Sequence, residues 1–133
     1  MDSFRLTCAK ALLVGAVGGI FSLPVQAHHS FAATYSVDRT VTVQGTVIDF
    51  LFRYPHAFVH VMAPDKAGQM VEWSIEWAAA GALTKENVTN ATLKPGDQVV
   101  VTGSPARDES LHRIRMKAII RPSDGWKWSG TFG

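Results

Sequence analysis

From Met70 to Trp77 apolar and polar residues alternate without a break: Val71, Trp73, Ile75 and Trp77 on one side, Glu72, Ser74 and Glu76 on the other. A period of two predicts a half-buried strand. The stretch before it, Tyr54 to Met62, enters through Pro55 and sets Ala57, Val59 and Val61 against His56 and His60. Residues 56–63 therefore read as a strand with one core-facing side and one side that carries both histidines. Thr40 to Arg53 reads as a longer strand whose apolar parity changes. Val41 and Val43 precede Gly45, whereas Ile48, Phe50 and Phe52 follow it. A β-bulge at Gly45 is the expected device for restoring the inward phase. Gln98 to Gly103 and Leu111 to Arg121 supply two more strands. In the last, Ile114, Met116, Ala118 and Ile120 are expected inside, and Arg113, Arg115 and Lys117 outside.

The connections carry turn chemistry. Pro64-Asp65-Lys66-Ala67-Gly68-Gln69 and Leu93-Lys94-Pro95-Gly96-Asp97 combine proline with glycine and Asp. Ala78 to about Glu86 predicts one short helix. The order is β-β-β-α-β-β with a long, bent first strand. It predicts a mainly β chain forming a small five-stranded OB-like barrel with one short helix; a plain antiparallel β-sandwich is the alternative. The barrel spans 40–121, after an N-terminal arm at 28–39 anchored by Phe31 and Tyr35. A C-terminal tail, 122–133, carries Trp126 and Trp128.

The first 27 residues change the composition. Arg5 and Lys10 bracket a basic start, Ala11 to Leu23 is uncharged and apolar, and Pro24-Val25-Gln26-Ala27 ends in small residues. This is the layout of a secretory signal peptide at 1–27, and the apolar run is too short for a membrane span. Cleavage after Ala27 removes Cys8, the one cysteine, and with it any disulfide or thiolate ligand. The remaining chain is close to neutral, which gives no push toward nucleic acid. All five histidines remain.

Those histidines are the candidate chemistry. In the hairpin of the second and third strands, one register sets His60 opposite Glu72 and His56 opposite Glu76. A register shifted by two sets His60 opposite Ser74. In both, one face carries imidazoles and carboxylates within cross-strand reach. Cleavage before His28 would also present an α-amine and an imidazole on one residue. That pair chelates a metal that prefers nitrogen in a planar arrangement, copper before zinc in a site without thiolates. His28, His29, His56 and His60 are the expected ligands, with Glu72 and Glu76 orienting imidazoles from behind. The alternative is a metal-free OB-like module that binds a protein, an oligosaccharide or another envelope ligand through the barrel face and Trp126/Trp128. No nucleophile elbow, phosphate-cradling glycine loop or paired-carboxylate signature is present, so no enzymatic activity is expected.

In order along the chain stand His28-His29-Ser30-Phe31, Gly45-Thr46-Val47, Pro55-His56-Ala57, Trp73-Ser74-Ile75-Glu76, Leu93-Lys94-Pro95-Gly96-Asp97 and Pro105-Ala106-Arg107-Asp108. With these motifs the chain resembles a family of small secreted or periplasmic bacterial proteins of unknown function. Tyr54 stands where that family usually has Asn before the proline. The resemblance implies a periplasmic or secreted bacterial location and no established activity.

Overall fold

A computed structural model describes residues 28–131, with side chains from Phe31 onward. The stretch expected to be a signal peptide lies outside the described residues. The chain runs α1 (His28–Thr34), β1 (Val41–Leu51), β2 (Phe58–Pro64), β3 (Met70–Glu76), α2 (Ala80–Lys85), β4 (Gln98–Pro105), a 3-10 turn (Glu109–Leu111), β5 (Arg113–Arg121) and β6 (Trp126–Ser129). β1 pairs antiparallel with both β2 and β4, β2 with β3, and β4 with β5. β3 then pairs parallel with β5, Ser74 beside Arg113 and Glu76 beside Arg115. That last ladder closes five strands into a barrel with the expected OB-like order, so the sandwich alternative falls away. Within the described residues no helix is long and apolar enough to cross a membrane.

Inward positions fill the barrel with small and medium side chains. Val59, Val61, Ile75, Val99, Val101, Ile114 and Ile119 are completely buried. α2 and the loop after it add Leu83, Val88 and Leu93 to the same core.

Two bulges move the expected phases. In β1 the parity change comes at Ile48, not Gly45. Val47 pairs with Val61 and Asp49 with His60, leaving Ile48 unpaired and exposed. Gly45 pairs regularly with Val99; its task is close approach, since a Cβ there would lie 2.2 Å from the Met62 carbonyl oxygen. In β5, Thr102 pairs with Ala118 but Gly103 with Met116, so Lys117 is the extra residue. The phase flips there, burying Ile119 and exposing Ile120 where the alternation predicts the reverse.

The two ends also depart from expectation. The arm begins as a short helix, α1, and is clasped to the end of β4. Ser36 N–H donates to the Pro105 carbonyl, Arg107 N–H to that of Thr34, and Arg107 Nε to that of Ala32 at 2.7 Å. The tail folds back as β6 along the second half of β5. Trp128 is thereby core rather than a surface tryptophan. Its ring meets Trp77 edge-on at 5.0 Å and its Nε1 donates to Glu86. Trp126, half-buried, lies 6.5 Å from the same Trp77 ring.

Candidate functional site

The outer face of β2 and β3 is where chain alternation, barrel closure and the N-terminal clasp meet. The hairpin takes the shifted register, with His60 opposite Ser74, Phe58 opposite Glu76 and Met62 opposite Glu72. Glu76 points outward by parity yet is only 4% exposed, with Tyr35, Arg113 and His56 against its carboxylate. A carboxylate in that position requires donors, and three groups supply them. The Tyr35 hydroxyl, on a residue 1% exposed, donates to Oε2. Arg113, brought alongside by the β3–β5 ladder, donates from its guanidinium to the same oxygen at 2.8 Å. His56 Nδ1 lies 2.6 Å from Oε1.

The surroundings are aromatic and cationic. The Arg113 guanidinium stands 5.1 Å from the Phe58 ring centroid and 5.8 Å from that of Tyr35; Arg53 reaches Phe58 from β1's end at 5.5 Å. Phe31 of α1 lies 5.4 Å from the His56 ring and carries the Arg115 guanidinium over its face at 3.3 Å. Arg113 and Arg115 are thus built into this cluster, and Lys117, on the same outer face, donates to Thr40 Oγ1 at 3.0 Å. Burial and the neighbouring Glu76 carboxylate push the Tyr35 phenol well above its ordinary value.

With Nδ1 turned to Glu76, His56 keeps Nε2 for an outside partner, and its side chain is 35% exposed. This is the arrangement in which a carboxylate behind an imidazole fixes its tautomer and the orientation of its ring. His60 has its own carboxylates: Nδ1 lies 2.7 Å from Asp49 Oδ1 and 3.9 Å from Glu72. Asp49 reaches it because of the bulge at Ile48. Phe58 occupies the position between the two histidines on this face. Four strand steps separate them, roughly 13 Å, more than one ion bridges directly.

Glu76 and His56 therefore meet as the alternation suggested, although in a different register from direct pairing. Tyr35, Arg113 and Asp49 complete the two clusters; the alternation set Arg113 on the outer face but named no partner for any of the three. Tyr35 was legible as an anchor, but its acceptor, 41 residues away in sequence, was not. The side chains of His28 and His29 lie outside the described residues. Their backbone begins α1, one helical turn before Phe31. Among the described residues no group of three or more His, Cys, Asp or Glu side chains is arranged to hold a metal.

No curated protein matches the chain in sequence. Residues 19–115, most of the barrel and the segment before it, match the Family of unknown function (DUF6152), and the chain belongs to that family.

Proposed function

We propose that the chain, freed of residues 1–27, works in the periplasm or outside the cell as a barrel that binds copper at its N-terminus. His28 supplies the α-amine and an imidazole, His29 adjoins them, and His56 Nε2 is the ligand from the barrel. The observation that carries this reading is His56 itself: partly exposed, held from behind by a buried Glu76, and in ring contact with Phe31 one turn after His28. Glu76 in turn is fixed by Tyr35 and Arg113, so the imidazole sits on a rigid support rather than on a loop of free rotamers. His60, with Asp49 and Glu72, makes a separate imidazole–carboxylate pair that adds no direct ligand to the same ion.

The test is a Cu(II) titration of two forms, one beginning at His28 and one with a single extra residue before it. Tight binding by the first and binding weaker by a factor of ten or more (about 1.4 kcal/mol) by the second supports the amine as a ligand. Equal weak binding by both overturns the site. Binding should also weaken as pH falls and the imidazoles and amine take up protons.

A further inference from the structure

His60 stands apart from the cluster at His56 and has surroundings of its own. The next side chain with the same outward parity on β2 is Met62. Two strand steps cover roughly 7 Å, a spacing at which an imidazole and a thioether can meet over one ion. Met62 is 37% exposed, so its sulfur is open to a solute. Across the hairpin its direct partner is Glu72, which sets the two Cβ atoms about 4.5–5.5 Å apart. The Glu72 carboxylate also comes within 3.9 Å of His60 Nδ1, although His60 itself stands opposite Ser74. The imidazole and this carboxylate therefore lean toward each other along the strands, on the side of His60 where Met62 lies. With Nδ1 2.7 Å from Asp49 Oδ1, Nε2 is the nitrogen left for another partner.

The charge on this face is unbalanced. Elsewhere on the barrel Glu76 has Arg113, and Asp97 and Asp124 share Arg121. Among the described residues Asp49 and Glu72 pair with His60 and with no Lys or Arg. Two carboxylates thus flank an imidazole without a fixed cation, and a bound cation would offset them. By themselves His60, Asp49 and Glu72 are not arranged to hold a metal. Met62 changes the set, because a thioether is a soft donor that selects Cu(I) and leaves hard cations such as Mg(II) aside.

We propose that His60 Nε2 and the Met62 sulfur bind a soft monovalent cation of the Cu(I) class, with Asp49 orienting the imidazole and Glu72 supplying negative charge beside it. The site is separate from the N-terminal one. Neither His28 nor His56 contributes to it, so either site can fail while the other stands. Met70 provides an internal control. It is on the same face and 61% exposed, but it lies opposite Pro64, four strand steps or roughly 13 Å from His60. It is a thioether in the same solvent without the imidazole.

The probe is Ag(I), which shares the charge and closed shell of Cu(I) and is stable in air. It is added as the nitrate, in chloride-free buffer, to the protein beginning at His28 and labelled with 13C in its methionine methyl groups. Of the four methionines Met1 precedes His28, which leaves Met62, Met70 and Met116 and three methyl signals. Met62→Leu and Met70→Leu identify two of them. Ag(I) should shift the Met62 signal saturably, with an affinity about ten-fold or more above any response at Met70. Met116, 1% exposed, should stay in place. His60→Gln should weaken the binding read at Met62 by about ten-fold or more, and Mg(II) should leave that signal unmoved. The proposal is overturned if Ag(I) leaves Met62 unmoved or shifts Met62 and Met70 with equal affinity. Undiminished binding at Met62 in His60→Gln, or a Met62 shift with Mg(II) equal to that with Ag(I), overturns it as well.

Discussion

Removing the Glu76 carboxylate should reveal how the N-terminal clasp and the barrel are coupled. In Glu76→Ala the Tyr35 hydroxyl, on a residue 1% exposed, loses its acceptor. Leaving a buried hydroxyl unsatisfied costs about 1–3 kcal/mol. Arg113 and His56 lose a partner too, but each keeps about a third of its side chain in solvent (35% in both). Screening limits their share to about 0–1 kcal/mol. The expected total is about 1–4 kcal/mol, a large part of the stability of a domain this size. Tyr35→Phe alone removes one hydrogen bond to a charged acceptor and should cost about 1.5–3 kcal/mol. The diagnostic is the double variant. Once the carboxylate is gone, Phe at position 35 no longer buries an orphaned hydroxyl, so Tyr35→Phe/Glu76→Ala should be no less stable than Glu76→Ala. Urea unfolding followed by tryptophan fluorescence reads all four proteins, with equal m-values confirming a comparable transition. A coupling energy of about 1.5 kcal/mol or more is expected. Effects that add to within about 0.5 kcal/mol would refute the claim that the two groups act as one buried unit.

Three further outcomes follow from named contacts. Because burial and Glu76 raise the Tyr35 phenol above its ordinary 10.0, the folded state holds that proton more tightly than the unfolded chain. Its contribution is complete below about pH 10 and is lost as pH rises beyond it, by up to about 1.4 kcal/mol per pH unit; urea midpoints at pH 9 and 11 should therefore fall less steeply in Tyr35→Phe than in the parent. Gly45→Ala should destabilise by about 1–3 kcal/mol or more through overpacking, since its Cβ would lie 2.2 Å from the Met62 carbonyl oxygen and 2.7 Å from the Ala63 Cβ; thermal unfolding gives the shift, and an unchanged midpoint would show that β1 and β2 separate freely. Trp128→Ala should cost about 3–5 kcal/mol, because the ring is 7% exposed and packed on Trp77; a loss below about 1 kcal/mol would return β6 to the status of a dispensable tail.

The barrel was legible because its inward positions alternate. Ala57, Val59 and Val61 read as core from period alone and are fully buried. Bulges were less legible, because a parity change narrows the extra residue only to a stretch. Glycine drew the expectation to position 45, while the ladder breaks at Ile48, an ordinary β-branched residue. At Lys117 the sequence looked unbroken, since Ile119 and Ile120 are equally apolar and either fits the inward phase. Trp128 was misjudged for a related reason: four strand residues in a polar tail show too little periodicity to betray a partner strand. The site was half legible. His56 and Glu76 share the outward parity of neighbouring strands, which short-range pattern captures. Tyr35 and Arg113 reach Glu76 through the clasp and the parallel closure, and Asp49 reaches His60 through the bulge, all of them tertiary events without a local signature.

The most direct measurement of the copper reading is pulsed electron paramagnetic resonance on the Cu(II)-loaded protein beginning at His28. The technique counts coordinated imidazoles through their remote nitrogens. His56→Ala should remove one coordinated imidazole from the spectrum, while His60→Ala should leave the count unchanged, since Phe58 and about 13 Å of strand separate the two. An identical spectrum for the parent and His56→Ala would contradict the reading, because the metal would then be held by the N-terminal residues alone, without the barrel.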